Sequence, residues 1–373
     1  MTSNRETSQE PLVDLIAESV EAQQFIDGVM ADLSQFKLYS DEYFGKVIGN
    51  VLSGTSVDKQ GESAQIADLE ALVAAVGRGE FWLRREHDPL IHPIGRVLAA
   101  RTFSSRERSV HFVVGVVGFF DASRLPNFSS IGIDTSSLPA SEGMLADSPE
   151  DARAQLEFSP YEIPPSVVND MMQVAPPCVE PSTVEQFRKG EFSLAVLHVS
   201  ASIWLLSQTP FGKKIQERLG EKVADVSVEF LKWIAGAVTE KLRQLTGRDS
   251  RLVVSFTYGG CEIEFVLKGS DGPAVISEAM QTIEAAANES LRLADALALA
   301  IPRRITYGFD AGSKKWFPLH ASTRNRGIIT NQPYLIALES LQGGLSVGGR
   351  RLPFGENDLG ASQKTPNPAL PAS

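Results

Sequence analysis

Cysteine is scarce in this chain: Cys178 and Cys261 are the two in 373 residues. Neither has a Cys-x-x-Cys partner, so no zinc set and no disulfide framework can be assembled from them. Two free thiols fit a reducing cytoplasm. Positive charge is also short. The formal net charge is −11, which disfavours non-specific binding to nucleic acid or to anionic membrane, since both need clustered Lys and Arg. The basic stretch from Arg101 to Arg108 is mixed with Ser and Glu and reads as a solvated loop. A long apolar run is missing too. Phe192 to Leu206 falls short of the roughly 20 residues of a spanning helix. It carries His198, Ser193, Ser200 and Ser202, and reads as a buried helix or strand, with a membrane-seeking segment as the alternative. Met1 to Glu10 is polar, and no secretory signal is expected. The expectation is a cytoplasmic protein without nucleic-acid or membrane partners.

What is present is ordinary globular material. Hydrophobic residues make up 43% and charged residues 22%, enough apolar side chain over this length for two or three domains. Leu12, Leu15, Ile16, Val20, Phe25, Ile26, Val29 and Leu33 recur at helical spacing and predict an amphipathic helix, read as an appendage or partner-binding arm. Residues 43–53 alternate like a strand, and Ile66 to Val76 predicts a short helix. Residues 94–103 and 110–120 predict an antiparallel hairpin whose second strand is apolar on both faces. Ser129 to Asp134 reads as a shorter strand, and 154–160 as a return to the same sheet. Six prolines between 160 and 182 (Pro160, Pro164, Pro165, Pro176, Pro177, Pro181) predict a linker.

Beyond the linker the texture changes. Residues 211–246 carry a long helical pattern. A hairpin follows around Gly259-Gly260, then a helix over about 274–300, then a hairpin turning at 310–313. The fold class is α+β. The expected units are an N-terminal helix over 1–35, a domain over 36–165, a Pro-rich linker over 166–190, an α+β domain with long helices and two hairpins over 191–342, and a disordered tail over 343–373.

The residues that could carry chemistry are a base, a nucleophile and a carboxylate. A serine hydroxyl is a weak nucleophile that needs a base, and a histidine base needs an orienting group. His87 in Arg85-Glu86-His87-Asp88-Pro89, Ser130 in Ser129-Ser130-Ile131-Gly132-Ile133 and Glu157 in Leu156-Glu157-Phe158-Ser159 can fill these roles. Ser129 is a rival nucleophile and Glu162 a rival acid. Gly132 would let backbone approach a substrate closely. His87, Asp88 and His92 around two prolines give no single helical face for a metal. The stripe of Phe230, Trp233 and Ile234 reads as core, or as a face for a partner helix.

Residues 52–160 resemble the phage prohead serine proteases, which mature viral capsids. The resemblance runs in order through Leu52 to Glu62, with its D-x-x-G-(D/E) turn; His87-Asp88 with Pro93-Ile94-Gly95-Arg96-Val97; Ser130-Ile131-Gly132-Ile133; and Leu156-Glu157-Phe158-Ser159 ahead of Pro164-Pro165. It implies a small β-barrel-like domain and a Ser-His-Glu triad with His87 as base, Ser130 as nucleophile and Glu157 as orienting carboxylate. It further implies cleavage of a protein or peptide substrate, with no metal and no organic cofactor. The alternative is a non-catalytic assembly or sensor protein that keeps this fold and acts through its C-terminal domain. In either case a homo-oligomer is expected.

Overall fold

The computed structural model describes residues 14–36, 44–55, 66–78, 81–84, 88–105, 107–121, 124–139, 153–160, 162–183, 194–202, 221–245, 249–331, 345–347 and 350–352. The chain is a mixed α+β protein built on two main sheets.

The smaller sheet holds four antiparallel strands in the order β1-β4-β3-β2: β1 (Phe44–Gly54), β2 (Trp82–Leu83), β3 (Gly95–Ser105) and β4 (Val110–Phe120). It is curled, and among the described residues it ends in the edges β1 and β2. Both faces carry a helix, which explains why β4 is apolar on both faces from Phe112 onward. The helix Val20–Ala31 lays Ala22, Ile26 and Val29 against Val51, Leu98, Phe112 and Val114. It is thus packed on the sheet rather than held out as an appendage. A Cβ on Gly49 would meet Ile26 Cδ1 at 2.4 Å, so this helix rests directly on backbone. On the other side the helix Ile66–Gly77 sets Leu69 and Leu72 on Val113, and Val76 on Val97 and Val117.

The larger sheet has eight strands in the order β12-β11-β10-β9-β8-β7-β5-β6. They are β5 (Ala154–Phe158), β6 (Val179–Thr183), β7 (Leu194–Ala201), β8 (Asp249–Tyr258), β9 (Cys261–Lys268), β10 (Pro302–Asp310), β11 (Lys315–Thr323) and β12 (Gly327–Thr330). Three neighbouring pairs are parallel: β5 with β6, β7 with β8, and β9 with β10. Parallel neighbours need a crossover, and a helix supplies each one. These are Pro165–Met172, then Glu221–Trp233 continued through one π turn into Thr239–Arg243, then Pro273–Ala296. Val168 and Met171, then Phe230 and Ile234, then Ile276 and Ile283, all join one core with Leu197, Val254, Phe265 and Tyr307. All three crossover helices therefore lie on one face of the sheet. The hairpins at Gly259-Gly260 and at 310–313 form as expected, both glycines taking positive φ (57° and 80°) as a two-residue turn requires.

Several expectations need correction. Strand β5 does not return to the small sheet; it pairs with β7 in the larger one. The described part of the segment expected as a linker, residues 166–183, forms a helix and the edge strand β6 of that sheet. Pro164 and Pro165 sit at the N-cap and first turn of a helix, where the missing N–H costs nothing, and Pro181 lies in the edge strand β6. Residues 129–131 form a 3-10 turn rather than a strand. In the tail, Leu345–Val347 and Arg350–Leu352 pair as a ribbon. The rest of 343–373, residues 203–220 and His87 lie outside the described residues.

Candidate functional site

With its helices on one side, the larger sheet has a second face whose residues are read from strand alternation and register. One row crosses all eight strands: Glu180, Gln155, Ser200, Ser255, Glu264, Thr306, His320 and Thr330, each paired with the next. On one side of it run Ser182, Glu157, His198, Val253 and Val266. On the other run Thr257, Glu262, Arg304 and Ser322. A face this polar across the middle of a sheet is unusual, because polar groups there must be satisfied by one another, by water or by a ligand.

Its centre is an ionic cluster. Glu264 is fully buried; Thr306 Oγ1 donates to its Oε2 at 2.9 Å. Arg304 donates from Nε and Nη2 to Glu262 Oε2 at 2.9 and 2.6 Å, and its Nε stands 3.3 Å from Glu264 Oε1. That last contact is ionic only: Oε1 has no hydrogen-bond partner among the described residues. Burial opposes the charge on Glu264, but Arg304, Arg84 and His198, with the Thr306 hydrogen bond, hold its carboxyl below the ordinary carboxylate range. Arg84 follows β2 and belongs to the small sheet's side of the molecule. Burial lowers it to about 10, as does Arg304, against the pull of Glu264, Glu262 and Asp88. Burial, then the charge on Glu262, raises Glu157.

Residues 88–90 lie against this face. Asp88 and Arg251 form a buried pair, with Arg251 Nε 3.0 Å from Asp88 Oδ1 and Nη2 2.6 Å from Oδ2. Leu90 fills an apolar corner formed by Leu194, Val196, Val253 and Val266. Pro89 O lies 3.3 Å from His320 Nε2. Burial, Arg84 and His92 push His320 well below its usual pKa, so it is neutral and Nε2–H is the donor. Glu157, His198, Ser200, Glu262 and Arg304 remain partly exposed around this seat. They offer two carboxylates, an imidazole, a hydroxyl and a guanidinium to a polar ligand.

Of the residues proposed for a triad, the two that are described, Glu157 and Ser130, fall in different places. Glu157 is on this face, opposite His198 on β7. Ser130 is exposed on the 3-10 turn. Its Oγ donates to Asn127 O at 2.8 Å and accepts from Asn127 N at 3.0 Å. Its amide donates to Asn127 Oδ1, and the amides of Ile131, Gly132 and Ile133 donate to Phe128 O, Ser129 O and Phe128 O. The rival Ser129 donates to Asn127 Oδ1. The loop holding Ser130 is tied to β12 through Thr330 N and Pro126 O, at the opposite edge of the strand order from β5. The rival acid Glu162 is buried and accepts from Val196 N at 3.2 Å, beyond the point where β5 stops pairing with β7. Among the described residues no group of three or more His, Cys, Asp or Glu could hold a metal, and no helix is long and apolar enough to cross a membrane.

Reading single motifs missed the ionic face. Its signal lay in alternation: Cys261-Glu262-Ile263-Glu264-Phe265 places both carboxylates on one face and the apolar residues on the other. Arg304-Ile305-Thr306-Tyr307 repeats the pattern one strand away. When the chain is compared with protein-family models, with curated proteins and with solved structures, nothing matches it.

Proposed function

We propose that this chain is a non-catalytic assembly or sensor protein that binds a polar ligand or partner at the partly exposed margin of the polar face of its larger sheet. The observation that carries this reading is the polar row across eight strands, on the face away from the three crossover helices, around a buried carboxylate held ionised. The face suits binding better than acyl transfer. Backbone amides of inner strands are spent in the ladder, so they leave no donors for an oxyanion. The small sheet contributes Arg84 and the Asp88 seat, so a ligand there would touch both halves of the molecule. Such junctions are common places for ligand sites.

A second reading is the serine endopeptidase implied by the prohead-protease resemblance, with Ser130 attacking a peptide carbonyl, His87 as base and Glu157 orienting it. The exposure of Ser130 beside Gly132, which takes a left-handed φ of 83°, favours it. The hydrogen bonds within the Asn127–Ile133 turn favour the first reading. Labelling with a fluorophosphonate, read by intact mass on the wild type and on Ser130→Ala, separates them. The binding reading expects no adduct on either protein. An adduct on the wild type that Ser130→Ala abolishes would overturn it.

A further inference from the structure

The connection between the long helix and β10 displays apolar side chains at a point where the chain turns sharply. Leu299 is 94% exposed and Ile301 44%. Ile301 is β-branched, yet its φ is 54°, in the left-handed region that such residues avoid. The strained turn is held firmly. Arg324 N donates to Ile301 O at 2.8 Å, Asn325 N to Ala300 O at 3.1 Å, and Asn325 Nδ2 to Leu299 O at 3.1 Å. The result is a rigid protrusion with two aliphatic prongs.

Its flanks are basic. Arg324 and Arg326 are exposed in the turn bonded to the prongs, and Arg303 is exposed two residues past Ile301. Asp295, on the helix leading in, accepts from the Tyr258 hydroxyl at 3.1 Å. In a chain of net charge −11 this tip reverses the sign locally.

We propose that the tip docks on an anionic phospholipid surface. Leu299 and Ile301 enter the acyl boundary, and Arg324 and Arg326 engage the phosphates. The chemistry favours lipid over a protein partner. Two prongs on a turn are too small to supply the roughly 1,000 Å² that a specific protein interface needs. A fluid boundary takes in a convex apolar tip without a prepared pocket. Guanidinium is the side chain whose planar fork matches phosphate oxygens. The negative remainder of the molecule is repelled by the same surface, which orients the contact and keeps it reversible. The net charge argued against a membrane partner; the local charge at this turn argues for one. This site is separate from the polar face and does not depend on what binds there.

The test is co-sedimentation of the full chain with phosphatidylcholine vesicles containing about a quarter phosphatidylserine, and with phosphatidylcholine alone. Binding is expected to the first and not the second, and to weaken as salt rises. Leu299→Asp should reduce it at least ~10-fold. Arg326→Glu should reduce it several-fold and flatten the salt dependence; both sites are exposed, and circular dichroism checks that each variant folds. No sedimentation with the anionic vesicles, or sedimentation that both variants leave unchanged, overturns the proposal. A wild type that ignores vesicles but self-associates in light scattering, with Leu299→Asp abolishing it, overturns it in favour of a contact between copies.

Discussion

The two faces of the eight-stranded sheet are made by alternate residues of the same strands, and they are held by different forces. On the helix side, Phe265 meets Tyr307 at a tilt at 5.2 Å and Trp316 edge-on at 5.1 Å, and stacks with Phe256 at 6.1 Å. One residue earlier, Glu264 points the other way into arginines and a threonine. The apolar face is stabilised by area removed from water and by close packing, which are non-directional and spread over many contacts. The polar face is stabilised only while each charge keeps its partner. The first kind of face sets the fold, and the second can exchange one partner for another. That difference is why the polar face is the better candidate for binding.

The strongest way to break the comparison is to open the apolar face. Phe265→Ala removes a fully buried ring at the centre of an aromatic cluster. It should cost about 3–5 kcal/mol in denaturant unfolding. A cost under ~1 kcal/mol would mean that the cluster can close over the gap, and that this face is looser than its packing implies.

On the polar face the matching change is Asp88→Ala. It strands Arg251, which is 7% exposed and bonded to both Asp88 oxygens. The expected loss is about 3 kcal/mol, most of it from leaving a buried cation uncompensated. Replacing both partners with apolar residues, Asp88→Leu with Arg251→Met, should recover much of it. If the double variant is no more stable than Asp88→Ala, the pair is worth more than its desolvation cost and the contrast between the faces shrinks.

Much of the apolar architecture was legible in the sequence because periodicity reports burial directly. The hairpin around Gly259-Gly260, the long helix after Pro273 and the doubly apolar strand β4 all follow from it. Partnership between segments was not legible. Strand β5 is a short apolar-polar alternation that would suit either sheet, and its membership in the larger one depends on β7, forty residues on. The prolines misled for a related reason. Density alone suggests a linker, but Pro165 at a helix start and Pro181 on an edge strand are each in a position that tolerates them. The triad candidates came from local motifs, and motifs carry no information about which edge of a sheet a loop will reach. Glu264 and Arg304 went unnoticed because each is unremarkable alone; only register makes them neighbours.

Acid offers a milder way to sharpen the comparison. His320 is neutral in the fold, with its pKa depressed by burial and by Arg84 and His92; Glu264 pulls the other way, and Thr306 and Thr330 flank it on the adjoining strands. A depressed histidine binds its proton more readily in the unfolded chain. Its contribution is therefore complete above the unfolded value near 6.5 and is lost as pH falls below it. Glu264 is depressed too, and its contribution is lost at lower pH, below the usual carboxylate value. Stability should fall between pH 7 and 5, and His320→Gln, which keeps a donor for Pro89 O, should show a shallower fall. Equal slopes in the two proteins would assign the acid sensitivity to other groups.

The smallest effect belongs to a polar atom left without a partner on the apolar side. Tyr307 Oη is buried and has no hydrogen-bond partner among the described residues, and burial raises its pKa well above the usual value. Tyr307→Phe keeps the ring packed on Phe265 and removes an oxygen that lost its water on folding. It should be neutral or stabilising by up to ~1 kcal/mol in denaturant unfolding. On the opposite face the equivalent deletion, Thr306→Val, takes a donor from Glu264 and should destabilise by about 1–2 kcal/mol. The two substitutions lie one residue apart on β10 and each removes a hydroxyl. If both move stability in the same direction, the two faces are not held by different forces; opposite signs are what a packed face and a paired face require.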